Sequence, residues 1–246
     1  MRTFRRFFRI NSMVIKKQHW VSKFLLKAVV FLFVLTSLFY SCKKKTDTVP
    51  IDLGYNYFPF EVGKYVIYDV DSIVLDKTFP NDTFKFQIKE INESFFIDNS
   101  GRQSIRIERY KKKTSSTTWN LQDVWYSTRT TTTAEKIEEN IRYVKLIFPT
   151  EKNKSWKGNA YNQLGDWDYK YSDIDKKRTL GGISFDSTTY ITQYNKIDLL
   201  NVDYYAEIYA KNYGMIYKEI IVKHKDSVPG NPTGLLYKMT VNSAGP

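Results

Sequence analysis

Phe84-Lys85-Phe86-Gln87-Ile88-Lys89 sets apolar against polar side chains with a strict period of two. In an extended chain successive side chains point to opposite faces, so this stretch has one apolar face and one wet face. That is the pattern of a half-buried antiparallel strand. The alternation returns through Ile105-Arg106-Ile107-Glu108, Trp119-Asn120-Leu121-Gln122 and Trp167-Asp168-Tyr169-Lys170-Tyr171, and again where Leu235, Tyr237, Met239 and Val241 share one side. Turn-forming residues separate the runs: Pro80-Asn81-Asp82, Asp98-Asn99-Ser100-Gly101, Gly181-Gly182, Asn212-Tyr213-Gly214 and Pro229-Gly230-Asn231-Pro232. Roughly ten strands in one unbroken pattern over 55–246 predict an all-β fold. The expected architecture is a single antiparallel β-meander, strongly curved or closed into a barrel, with at most one short helix.

The helix would lie in Ala134–Phe148, where Ala134, Ile137, Ile141, Val144 and Phe148 are three or four residues apart and Glu135, Glu138 and Glu139 favour helix. Ile141–Phe148 reads equally as a strand before Pro149. One short motif occurs twice. Phe58-Pro59-Phe60-Glu61-Val62-Gly63-Lys64 returns 90 residues later as Phe148-Pro149-Thr150-Glu151-Lys152-Asn153-Lys154, with four of seven positions identical. Both copies read as a proline-containing turn that feeds an aromatic strand, and two copies are too few for a solenoid.

Upstream of the strands the composition changes. Residues 1–41 hold eight basic side chains and no acidic one, and end in the uncharged run Ala28–Tyr40 followed by Ser41-Cys42. A basic segment, a short apolar run and a cysteine after a small residue are the parts of a lipoprotein export signal. The apolar run of 13 residues is shorter than the ~20 that span a bilayer, which argues against a retained anchor. Met13 offers an alternative start with a more ordinary leader length. Cys42, the single cysteine of the chain, is the expected lipidation site. Residues 42–54 are then a polar tether, and 55–246 the folded domain.

Removal of residues 1–41 also removes most of the positive charge. The full chain carries +12, but 46–246 hold 27 basic and 26 acidic side chains, a net of +1. A nearly neutral domain lacks the electrostatic footprint of a nucleic-acid binder. Catalytic inventory is equally thin. His224 is the only histidine after the leader, so multi-histidine zinc sites have no residues to build them, a Cys-His dyad has no free cysteine once Cys42 is lipidated, and any triad would rest on His224 alone. It follows Ile220-Ile221-Val222 and reads as a solvated strand end. Gly181-Gly182 lacks the Lys-Ser/Thr of a phosphate loop. Asp166, Asp168, Asp173 and Asp175 cluster in sequence, without the spacing or glycine of an EF-hand. No cofactor and no metal site is expected. Aromatics are in surplus, with 19 Tyr and five Trp. Trp125-Tyr126 and Tyr204-Tyr205 place aromatic rings on both faces of their strands, and form the candidate ligand surface.

The chain resembles small secreted lipoproteins of Bacteroidota-type bacteria. The resemblance is carried by the lysines after Cys42, by Tyr57-Phe58-Pro59-Phe60-Glu61-Val62-Gly63-Lys64-Tyr65-Val66-Ile67-Tyr68, and by Tyr209-Ala210-Lys211-Asn212-Tyr213-Gly214-Met215-Ile216-Tyr217-Lys218-Glu219. It implies a periplasmic or surface β-domain and brings no activity with it. It also implies O-glycosylation at Asp-Ser/Thr-aliphatic or threonine triplets, here at Thr48, Ser72, Ser187 and Ser227. Lys43–Lys45 stand where surface-exported members have acidic residues, which favours an outer-membrane protein facing the periplasm.

The expected function is a lipid-anchored envelope protein with a binding or structural role, whose partners are the membrane, through acyl chains, and a glycan, hydrophobic or protein ligand. The alternative is a carboxylate-dependent hydrolase of envelope polysaccharide, which needs two carboxyls held at a defined separation.

Overall fold

A computed structural model describes residues 51–245. The expected export signal, Cys42, Thr48 and most of the expected tether lie outside the described residues. The strands are β1 (Tyr65–Leu75), β2 (Asp82–Ile97), β3 (Gln103–Lys113), β4 (Asn120–Arg129), β5 (Thr133–Glu138), β6 (Ile141–Ile147), β7 (Ser155–Lys157), β8 (Asp168–Leu180), β9 (Ile183–Ile197), β10 (Asn201–Ala210), β11 (Gly214–His224) and β12 (Thr233–Gly245). A single 3-10 turn, Tyr55–Tyr57, precedes them. All twelve strands form one antiparallel sheet in the order β6-β5-β4-β3-β2-β1-β12-β11-β10-β9-β8-β7. The all-β expectation therefore holds, with twelve strands among the described residues rather than ten.

Two strands come from the segment whose spacing left helix and strand open. β5 and β6 pair from Thr133↔Ile147 to Glu138↔Ile141, and β5 also pairs with β4. Glu139 and Asn140, at φ 50° and 63°, make the turn between them. Two successive residues with positive φ suit a two-residue hairpin turn and cannot continue a right-handed helix.

The two edge strands meet, so the sheet nearly closes. Val144 of β6 donates from its amide to the Gly158 carbonyl just past β7, at 2.8 Å. Trp156 of β7 donates its indole N–H to the Val144 carbonyl at 2.8 Å. The Tyr171 hydroxyl accepts from the Ile147 amide at 3.1 Å and donates to the Ile147 carbonyl at 2.7 Å. These bonds satisfy backbone groups that an open edge would leave unpaired.

One end of the barrel is stoppered by the N-terminal segment. Tyr57 and Phe58 are buried in a cluster with Leu146, Phe148, Trp156, Tyr171 and Tyr209. Arg129 donates to the carbonyls of Tyr55 and Phe58, at 3.3 and 3.0 Å, and the Asn212 amide donates to Asn56 O at 2.7 Å. The β4–β5 and β10–β11 loops are thus tied to the stopper.

The end of the β8–β9 hairpin folds over its neighbours. The β8–β9 register shifts three times between Tyr171 and Arg178, with Asp175 at φ 54°. Such irregularities bend a strand pair. The bend lays Leu180, Ile183 and Phe185 on Ile208, Ile216 and Val241. Gly181 comes so close that an added Cβ would sit 1.7 Å from the Val241 carbonyl oxygen.

Candidate functional site: a charged cavity inside the barrel

The register brings charged residues to the interior at mid-height. Glu90 of β2 is opposite Arg109 of β3, which is opposite Asp123 of β4. On the far wall Glu207 of β10 is opposite Lys218 of β11. Lys136 and Glu138 project from β5, and Lys145 from β6.

These side chains form a continuous chain of ion pairs. Arg109 Nη1 lies 3.1 Å from Asp123, and its Nε 3.4 Å from Glu90. Glu90 accepts from Lys136 at 2.7 Å. Lys145 Nζ bridges Glu138 and Glu207, 3.0 Å from each. Glu207 also accepts from the Tyr209 hydroxyl at 2.7 Å. Lys218 stands 3.6 Å from Glu207 and 3.8 Å from Glu138, beyond hydrogen-bond reach of both. Four cations thus face four carboxylates, and the interior is neutral as a whole.

Neutrality is what makes this burial tolerable. The side chains of Lys145 and Glu207 are 4% and 0% exposed, and an isolated charge there would carry a desolvation penalty of several kcal/mol. Burial pushes the carboxyls of Glu138 and Glu207 up, but Lys145 and Lys218 outweigh it. Both carboxyls stay below the ordinary range, aided by Lys136 at Glu138 and by the Tyr209 hydroxyl at Glu207. Burial pulls Lys145 down, and Glu138 and Glu207 reverse that, holding it well above an ordinary lysine.

Beside this network is a cavity of about 240 Å³. Glu90, Arg109, Lys136, Glu138 and Lys218 supply its charged wall, and Met215, Ile220, Leu235 and Met239 its apolar wall, with the rings of Trp125 and Tyr237 between. A second cavity of about 80 Å³ shares Glu90, Lys136, Glu138 and Met215 with it and runs towards Phe58 and Pro59. Ile220, Leu235 and Tyr237, which line this cavity and not the one towards Phe58, are only partly buried. The Trp125 ring is held under cations, 4.5 Å from Arg109 and 4.9 Å from Lys136, and its indole N–H donates to Glu139 at 3.1 Å.

The aromatic pairs singled out from the sequence are divided between the two faces. Trp125 lines the cavity, whereas Tyr126 lies on the other face with Phe96, ring centroids 5.4 Å apart, and accepts from Arg142 at 3.2 Å. Tyr205 is opposite Ile220 in register and joins Trp167 and Tyr194 in an aromatic cluster, with centroids 4.6 Å apart for Trp167–Tyr205 and 4.7 Å for Trp167–Tyr194. Tyr204 turns away to hydrogen-bond the Tyr190 hydroxyl. One ring of each pair faces inward, and the four do not make one surface.

The other sequence candidates are scattered. Ser72 lies within β1, and Ser227 is exposed in the β11–β12 loop. The Ser187 hydroxyl donates to Asp175 at 2.6 Å and is 2.8 Å from the Tyr57 hydroxyl. His224 ends β11 with its side chain half exposed, 2.8 Å from Asp203. The four clustered aspartates are divided among three cations: Asp166 and Asp168 pair with Lys157, Asp173 with Arg178, and Asp175 with Lys211. Among the described residues no three His, Cys, Asp or Glu converge on a point that could hold a metal, and no helix is long and apolar enough to cross a membrane.

The interior ion pairs were not anticipated. Their signal was a charge set among apolar neighbours, Glu207 within Tyr204-Tyr205-Ala206-Glu207-Ile208-Tyr209 and Lys145 within Tyr143-Val144-Lys145-Leu146-Ile147.

No protein-family model and no curated protein matches this sequence. Solved structures are similar to it, among them two from bacteria. One is a "putative exported protein with YmcC-like fold" from Bacteroides fragilis, with 7% identity, a TM-score of 0.42, and coverage of 77% of this chain and 98% of that one. The other is a "putative lipoprotein" from Parabacteroides distasonis, with 11% identity, a TM-score of 0.38 and the same coverage. At these scores neither bears on the role of this chain.

Proposed function

We propose that this is a lipid-anchored protein of the bacterial cell envelope whose barrel binds a small ligand without transforming it. The observation that carries the binding role is the cavity of about 240 Å³ beside the interior ion pairs. A barrel built only to be stable would fill that space with side chains, since interiors are ordinarily close-packed. Anchoring rests on the leader and Cys42: two or more acyl chains on the cysteine would hold the domain stably at the membrane. The outer membrane, facing the periplasm, is the location that Lys43–Lys45 favour.

Two of the interior carboxylates, Glu138 and Glu207, do not suit the hydrolase alternative. A glycosidase needs one carboxyl kept protonated by a raised pKa, so that it can give a proton to the leaving oxygen. Glu138 and Glu207 are instead held ionised by lysines.

Extraction of the purified membrane-derived protein with organic solvent, followed by mass spectrometry, tests the binding role. A bound small molecule near one equivalent is expected, and it should be absent from Leu235→Trp, which fills the cavity. Recovery of the same molecule in equal amount from both would place it outside the barrel and remove the basis of the proposal. Cys42→Ala should move the protein from the membrane to the soluble fraction.

A further inference from the structure

The cavity has more hydrogen-bond donors than its own carboxylates satisfy. Arg109 Nε is buried and has no hydrogen-bond partner. Lys218 Nζ is 3.6 and 3.8 Å from its two carboxylates, too far to bond either. The charges on the cavity wall itself are three cations, Arg109, Lys136 and Lys218, against two carboxylates, Glu90 and Glu138. A buried donor without a partner costs about 1–3 kcal/mol, so Arg109 Nε calls for an acceptor from outside the chain, and Lys218, whose side chain is 20% exposed, is a second cation on the same cavity wall. Across the cavity Met215, Ile220, Leu235 and Met239 offer nothing to a polar group but suit an apolar body, and Trp125 and Tyr237 present rings beside them.

We infer that the ligand is a small organic acid: a carboxylate held between Arg109 and Lys218, carrying a compact apolar body that lies against Ile220, Leu235 and Met239. Size agrees with this. A cavity of about 150 Å³ takes a benzene molecule, so about 240 Å³ suits a body of about ten heavy atoms. The carboxylate would accept from Arg109 Nε, which no group of the chain satisfies. The apolar end would lie towards Ile220, Leu235 and Tyr237, on the partly exposed wall. This ligand class rests on the binding role proposed above.

Isothermal titration of the full mature lipoprotein in lipid nanodiscs, with empty nanodiscs as the reference, tests it. Three probes share one body and differ only in the head group: 3-phenylpropanoate, 3-phenylpropan-1-ol and 3-phenylpropylamine. The acid should bind saturably and at least tenfold more tightly than the alcohol or the amine, and Lys218→Met should erase the difference. Equal binding of all three, or preference for the amine, would overturn the acid and leave the binding role standing. No binding of any probe, with no small molecule extracted from the protein, would overturn both. The head-group comparison needs only the wild type, so it decides the matter even if Lys218→Met does not fold.

Discussion

Lys145 is the residue on which the interior depends, because it alone touches both Glu138 and Glu207 at 3.0 Å. Lys145→Met leaves two buried carboxylates short of a cation, and breaking one partner of a buried pair costs about 3–5 kcal/mol. Chemical denaturation should read a loss of that order. The double variant Lys145→Met/Glu207→Leu should regain much of it, since apolar residues of similar volume replace buried pairs with little loss. A double variant no more stable than the single would mean that Lys145 acts by packing alone. The pH dependence has a definite sign. Glu138 and Glu207 titrate below the ordinary 4.5 in the folded chain, so their contribution is present above about 4.5 and is lost as pH falls through the folded values. Lys145 titrates above its ordinary 10.5, so its contribution is present below 10.5 and lost as pH rises through the folded value. Thermal melts should therefore show a plateau between about pH 5 and 10. The gap in Tm between wild type and Lys145→Met should shrink on acidification below that plateau, as Glu207 takes up its proton. A gap constant down to pH 3 would contradict the ion-pair account.

Among the elements, the β8–β9 hairpin shows best how one backbone position controls packing. Gly181 has φ 56°, and an added Cβ would meet the Val241 carbonyl oxygen at 1.7 Å. Gly181→Ala must lift the hairpin end off β12, and with it Phe185 from Ile208 and Ile216. A loss of about 2–4 kcal/mol is expected from partial exposure of a buried aromatic, in the range of large-to-small core changes. Hydrogen exchange should quicken in 178–186 and leave β2–β4 unchanged; uniform quickening would mean that the hairpin and barrel unfold as one unit. The same hairpin marks how far the sequence could be read. Gly181-Gly182 announced a turn, and Phe84–Lys89 or Leu235–Val241 announced strands, because period two survives wherever one face is wet. The β5–β6 pair was ambiguous because both of its faces are largely covered: Ala134, Val144 and Leu146 are buried in the core, and Glu135, Lys136 and Lys145 are buried as ion pairs. Once charged residues face inward, polarity no longer reports exposure, and the helical spacing of the remaining apolar residues is accidental. The cavity was hidden for the same reason. Its donors and acceptors come from six strands, and only the register, with bulges at Ala134/Glu135 and Tyr205/Ala206, sets which of them face one another.

At the scale of the whole molecule, the repeated motif falls at equivalent places in two halves of six strands. Phe58–Lys64 leads into β1, and Phe148–Lys154 leads into β7. The sixth position is left-handed in both, Gly63 at φ 90° and Asn153 at φ 69°. Both are tied to the following long strand by the same two bonds. Gly63 N donates to Asn92 O and Asn92 N to Lys64 O, at 2.8 and 2.9 Å; Asn153 N donates to Tyr171 O and Tyr171 N to Lys154 O, at 2.8 and 3.0 Å. Each half is a six-stranded meander, and the halves join at two seams, β12 with β1 and β6 with β7. The seams are unequal. β1 pairs with β12 along eleven positions, whereas β6 and β7 meet through a single backbone bond and side chains. Opening the chain at the weak seam should therefore be tolerated only if the strong one holds the halves together. Co-expression of residues 1–147 with residues 148–246 carrying its own export signal and an affinity tag should yield a complex in which the untagged half is retained. Val70→Pro should abolish retention, because it removes a β1 backbone donor and distorts the β12 seam at its centre. Retention that survives Val70→Pro but fails with Trp156→Ala would mean that the β6–β7 side, with its indole bond to Val144, holds the halves together instead.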